Sequence, residues 1–272
     1  RKLRRDSLYF EIVFSPLDGE LTKEAVRRHT WPDPDDPMHT AFLREQVEWI
    51  RGNTDCAIIL YVPPPIIHIS QYLRGMENWF VDLVLNPQIM EYLLDTILDI
   101  TTAMARNVLS EVGSMADVVT CSDDIGGQKG LLISREHYHN FIQPRHSKYF
   151  DEIHSRTDAK LLYHSCGDIS SILPDLIEMG VDAINPVQVS AANMDPVRLK
   201  ENYGSSLAFW GGIDSSQLLP YGTVEDVKSS VQRTIDILGR GGGYILSAVH
   251  NIQPDVPPEN IEMMLNTALG RV

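Results

Sequence analysis

Cysteine is scarce in this chain, with only Cys56, Cys121 and Cys166 among 272 residues. Three thiols cannot build the paired framework that staples small secreted domains, so the composition points to a reducing, cytoplasmic setting. Basic runs are scarce too. After the N-terminal RKLRR no cluster of positive charge occurs, and 23 Lys plus Arg stand against 37 Asp plus Glu, a net charge of −14. Nucleic-acid binding needs a basic footprint, and this balance argues against it. No apolar run approaches the roughly 20 residues of a membrane span, and no apolar signal segment opens the chain. Nucleotide-binding loops are missing as well. No G-x-G-x-x-G or Walker-type sequence follows an expected strand, and 126–130 (GGQKG) and 240–243 (RGGG) read as turns.

What is present is enough apolar sequence, 43% of the residues, for a large core and a single domain over 1–272. Residues 1–40 read as a decorated edge, with a candidate strand at Leu8–Phe14 and a Pro/Asp surface loop at 31–37. Short apolar, β-branched runs then recur at 57–62, 117–121, 159–163, 182–187, 206–212 and 243–248, with a helix pattern in every gap. Strand–helix alternation of this kind predicts a parallel sheet of βαβ units, either an open doubly wound sheet or a closed barrel. Without a nucleotide loop the TIM-type (β/α)8 barrel is the better fit, although the chain supplies two strands fewer than a barrel needs. Cys56 precedes its strand and is expected at the structural end. His137, His139 and His146 fall on a helix expected to lie outside, with their rings in solvent.

The stretch with most chemistry is 159–168 (AKLLYHSCGD), a short strand running into His164-Ser165-Cys166. Residues i and i+2 of an extended chain point to the same side, so one imidazole and one thiol face a common point. Zinc accepts that ligand pair. A packed strand end with one buried thiol is the plainer alternative. A strand end opening a βα loop is, however, where α/β barrels keep their chemistry. The other strand ends add Asp123 and Asp124, Asn185 to Gln188, Trp210 to Asp214, and His250 with Asn251. Asp123 and Asp124 are adjacent, so one of the two is expected to point into the mouth. The catalytic candidates are Asp123, Asp124 and His250. Asn185, Gln188, Asp214 and Asn251 are the candidates for binding a cofactor or substrate.

The pieces SDDIGGQKG, HSCGDISSILPDLIEMGVDAINPVQ, FWGGID and HNIQPDVPPENI resemble the uroporphyrinogen decarboxylase superfamily, over roughly residues 8–270. That superfamily also holds zinc- and corrinoid-dependent methyltransferases of the methylcobalamin:coenzyme M type. The resemblance implies a TIM barrel of which this chain is the third to eighth strands. The first two strands and an arginine-rich N-terminal motif are expected to be absent, as in an N-terminally truncated chain. It also implies that His164-Ser165-Cys166 matches the H-x-C zinc motif of the methyltransferases. Their later Cys ligand is replaced here by His250, in an H-x-I-x-P setting like that of the decarboxylases.

Three functions follow. A zinc-assisted methyltransferase would use His164, Cys166 and His250 as ligands. Asp123 or Asp124 would serve as a fourth ligand or would orient His164. A methyl group would pass between a small methylated donor or thiol acceptor and a corrinoid (cobalamin) on a partner protein. A cofactor-free tetrapyrrole decarboxylase would need cations for substrate carboxylates, and Lys129 and Arg145 are the only ones near the strand ends. A non-catalytic barrel that binds a corrinoid or a partner is the third.

Overall fold

The computed structural model describes residues 2–3 and 10–272. Part of the expected strand Leu8–Phe14 lies outside the described residues. Its described part, Phe10–Glu11, pairs antiparallel with Lys2–Leu3. The six strands anticipated from the apolar runs all form. They are β1 (Ile59–Tyr61), β2 (Val118–Ser122), β3 (Lys160–His164), β4 (Ala183–Val187), β5 (Ala208–Ile213) and β6 (Tyr244–Ala248).

Their order in the sheet is their order in the chain, from β1 at one edge to β6 at the other. The pairs β1–β2, β3–β4, β4–β5 and β5–β6 are parallel. Strict succession decides between the two arrangements the sequence left open. A doubly wound sheet reverses its strand order at a switch point, whereas a barrel lays each βα unit beside the last. The winding is that of a TIM-type (β/α)8 barrel, with six strands among the described residues.

The chain divides into two compact units, residues 1–124 with 133–161 and residues 125–132 with 162–272. In the first, the helix Pro87–Val112 opens with proline at the one turn that tolerates it. It buries Met90, Leu93, Leu94, Ile97, Ala105, Val108 and Val112, a stripe at the 3.6-residue period. Each of these side chains larger than alanine contributes about 1.5–3 kcal/mol on leaving water. The helix capped by Ser134 takes one π turn at Tyr138–Ile142 and continues as Gln143–His154. In the second unit, the helix Val224–Leu238 starts on a capping box formed by Thr223 and Asp226. It packs Val227 and Val231 against Ile213, Leu219, Val256 and Met264. Among the described residues no helix is long and apolar enough to cross a membrane.

Arg74 is a buried ion of the first unit. Its Nε donates to Asp82 Oδ2 at 2.5 Å, and its Nη1 donates to the carbonyls of Leu17 and Gly19. Both charged side chains are buried, so removing one strands the other away from water. Arg74→Ala should therefore cost about 3–5 kcal/mol in a urea unfolding experiment, and Arg74→Lys should recover only part because it lacks the guanidinium fork.

Near the surface, Glu152 accepts from Arg106 and Arg156. The Arg106 hydrogen bond, opposed by partial burial and aided by Arg156, holds its carboxyl down at about 2 from an ordinary 4.5. A depressed pKa gives stability that is present above the ordinary value and lost as pH falls toward the folded one. The difference in Tm between wild type and Glu152→Gln should thus be constant above pH 5 and vanish near pH 2.

Candidate metal centre

The second unit builds its site on the register of β3 against β4. Leu162 lies opposite Ala183, Tyr163 opposite Ile184, and His164 opposite Asn185. Opposed residues in a sheet present their side chains on the same face, and His164 Nδ1 meets Asn185 Oδ1 at 2.6 Å. An amide oxygen only accepts, so Nδ1 carries the proton and Nε2 keeps its lone pair. That lone pair faces Cys166, with Nε2 and Sγ 3.6 Å apart. The i, i+2 geometry expected from the sequence holds.

Past the strand, the loop is held by polar contacts. Ser165 is fully buried; its N–H donates to the Asn185 carbonyl at 2.9 Å, and its Oγ accepts from Ile125 N at 3.1 Å. Gly167 N donates to Gln188 Oε1 at 2.8 Å. Gln188, expected to bind a cofactor or substrate, therefore braces the loop that carries Cys166. Asp168 accepts from Ser170 and Asn193 and caps the turn that follows.

Asp124 is bonded to Ile125, the residue tied to Ser165. A carboxylate oxygen of Asp124, a ring nitrogen of His164 and Cys166 Sγ all lie within 4.8 Å of one another, and all three side chains are half-buried. Oxygen, imidazole and thiolate form a donor set that zinc takes readily. A tetrahedral zinc with N at about 2.0–2.1 Å and S at about 2.3 Å separates those two atoms by roughly 3.6 Å. The observed spacing matches, so the residues fit the ion.

His250, expected as the third ligand, is not a member of this group. It lies two residues beyond the end of β6, and both it and Asn251 are exposed. Asp214, expected to bind a cofactor or substrate, makes local hydrogen bonds. Its Oδ1 accepts from Ser216 N, Ser216 Oγ and Gln217 N, which makes it a turn-forming residue.

Asp123 belongs to the first unit and is fully buried. It accepts from Ile66 N at 2.9 Å, His68 N at 3.0 Å and His146 Nε2 at 3.0 Å. Burial alone would raise its pKa, but the hydrogen bonds from His146 and His68 outweigh that and hold it well below the carboxylate range. His146 is thus corrected from a solvated to a fully buried residue. The signal was available. His146 follows Ile142 by four residues and precedes Tyr149 by three, on the apolar stripe of its helix.

The residue sequence reasoning missed is His68, just after the Pro63–Pro65 break that ends β1. Its Nδ1 faces the Ser122 carbonyl at 3.1 Å and its Nε2 faces Asp124 Oδ2 at 3.3 Å. Both partners only accept, so both nitrogens carry protons. Burial lowers its pKa, yet Asp123 and Asp124 push it up to about 11, and the ring is a fixed cation. A histidine next to a polyproline break at a strand end was the available clue. Arg145, by contrast, is spent on Asp95 and on the carbonyl of Phe141.

Asn185→Leu tests whether the tautomer matters. The substitution removes the acceptor for Nδ1–H and should weaken zinc binding about 10–100-fold, measured by chelator competition. Unchanged affinity would show that Asn185 does not orient His164.

Comparison with known proteins now places the chain. The uroporphyrinogen decarboxylase (URO-D) family profile matches residues 19–269. A uroporphyrinogen decarboxylase of Chlorobaculum parvum is 23% identical over 182 residues, covering 66% of this chain and 48% of its own length. A methylated-thiol–coenzyme M methyltransferase of Methanosarcina mazei is 24% identical over 224 residues, covering 79% of this chain and 56% of its own. The chain thus spans about half the length of these two relatives. Among solved structures, a methyltransferase from Methanosarcina mazei superposes with a TM-score of 0.66 at 18% identity, over 94% of this chain and 70% of that one, and bears out the fold. With a profile match over most of its residues, the chain belongs to the uroporphyrinogen decarboxylase family.

Proposed function

We propose that the protein is a zinc-assisted methyltransferase, moving a methyl group between a small methylated substrate or thiol and a corrinoid presented by a partner protein. The observation that carries this reading is the 3.6 Å approach of His164 Nε2 to Cys166 Sγ, with an Asp124 oxygen in the same cluster. Bound there, zinc would act as a Lewis acid, favouring the thiolate of an acceptor or polarising the heteroatom of a methylated donor.

The chain's own residues do the rest. Cys166 supplies the soft, charged ligand. His164 supplies a nitrogen whose lone pair faces Cys166 because Asn185 fixes the proton on Nδ1. Three protein ligands leave a fourth position for substrate, which is the difference between a catalytic and a closed structural site.

The relatives named as decarboxylases make a second reading concrete. A tetrapyrrole substrate would present several carboxylates and would need several free cations. Arg145 is committed to Asp95, and His68 is held between Asp123 and Asp124. Lys129, exposed in the glycine turn, is left as the free one of the two sequence candidates. That set favours the methyltransferase.

The test uses purified protein, zinc, methylcobalamin and a small thiol, following loss of the cobalt–carbon chromophore. The wild type should bind one zinc and transfer methyl, and Cys166→Ser should lose the metal and at least about 100-fold in rate. Zinc-loaded protein that leaves methylcobalamin intact but releases carbon dioxide from uroporphyrinogen would establish the decarboxylase instead. Metal binding without either turnover would leave the non-catalytic reading.

A further inference from the structure

The second unit contains a small ribbon that the proposed chemistry does not use. Gly126–Gly127 pairs antiparallel with Gly130–Leu131, and Gln128-Lys129 forms the tip. It is sewn to the site's loop through main-chain groups. Asp168 N donates to Gly127 O at 2.8 Å, Ala192 N donates to Gln128 O at 3.0 Å, and Ile125 N donates to Ser165 Oγ at 3.1 Å.

The contact between ribbon and loop is backbone on backbone. A Cβ at Gly126 would lie 2.4 Å from the carbonyl oxygen of Cys166 and 3.0 Å from Asp168 N. On the other side, Gly167 sits at φ +84, and a Cβ there would lie 2.5 Å from the carbonyl carbon of Gly126. Neither position has room for a side chain, and no flexible group stands in the way that could yield. Cys166 is therefore gripped through its own peptide groups. Ser165 Oγ donates to its carbonyl at 3.3 Å, Gly126 abuts that same carbonyl, and Gln188 holds the next N–H.

We infer that the ribbon 126–131 is a splint that fixes the position of Cys166 Sγ, and that Gly126 and Ser165 are positioning residues for metal binding. The inference rests on the metal reading of His164, Cys166 and Asp124. Restoring even a tight contact at Gly126 requires the Cys166 carbonyl to retreat by roughly 0.6–1 Å, whereas a working site tolerates about 0.5 Å. A methyl group on Gly126 thus displaces a ligand without touching its chemistry.

The experiment is a cobalt(II) titration of the whole chain, reading both affinity and the thiolate-to-cobalt charge-transfer band. Gly126→Ala should bind about 10–100-fold more weakly, with a weaker or shifted band. Ser165→Ala removes the tie between Ile125 N and the Cys166 carbonyl and adds no volume. It should act in the same direction, and it decides the matter if Gly126→Ala fails to melt cooperatively. Gly127→Ala is the control, because its Cβ would meet the flexible Leu132 side chain at 3.1 Å and the Gly130 carbonyl oxygen at 3.3 Å, both away from Cys166, and should leave affinity within about 3-fold. Wild-type affinity and spectrum in both Gly126→Ala and Ser165→Ala would overturn the splint while leaving the metal reading intact. A wild type that binds no cobalt or zinc would overturn both.

Discussion

The candidate site depends on the register of one strand pair. β3 and β4 run parallel with His164 opposite Asn185, and everything at the loop follows from that match. Register puts an amide oxygen beside Nδ1, which fixes the tautomer, which aims Nε2 at Cys166 Sγ. The same pairing continues one residue past β3, where Ser165 N bonds the Asn185 carbonyl. A one-residue slip would turn Asn185 to the opposite face and leave the imidazole without a reason to face the thiol. Leu162 and Ile184, buried in the same two strands, belong to the packing on which that geometry rests.

Most of the architecture was legible in the sequence, because parallel strands buried on both faces write themselves as continuous β-branched runs. The six strands fall within about two residues of their expected bounds. Sequential order was not legible, since alternation alone fits two topologies. At the site, His164 and Cys166 could be read because i, i+2 geometry is local. Asn185 was visible as a polar strand end, but its role was not, since that depends on register. The surroundings of His250 were not legible for a related reason. A residue beyond a strand's end is set by its loop, and the 249–257 loop carries it to the surface. His68 lies in a short helix, and its acidic partners come from a strand end more than fifty residues away, so no local pattern marks it.

The first unit shows how an acidic chain manages a buried charge. Asp123 gives up water entirely and is repaid in hydrogen bonds from two backbone amides and His146. Its neighbour Asp124 stays half-exposed and is met by His68, whose ring is left with two acceptors and therefore two protons. Adjacent carboxylates thus have opposite fates. One is a fixed internal anion, and the other is partly exposed beside the His68 ring. A net charge of −14 is an average over the whole chain; at this strand end the local arrangement is an alternating string of imidazole and carboxylate.

The π turn at Tyr138–Ile142 has a consequence for how this protein can change length. A π turn accommodates one residue more than an α-helical turn does. Loss of one residue there would let the helix close into regular α form with the downstream face close to its present phase, because five residues of π turn and four of α turn sweep nearly the same angle. Arg145, His146 and Tyr149 would go on facing Asp95, Asp123 and the Pro63 carbonyl. Insertions and deletions are ordinarily absorbed by loops, but this helix holds a spare residue in its interior. A change of count that would unphase a regular α-helix can be taken up at this one turn.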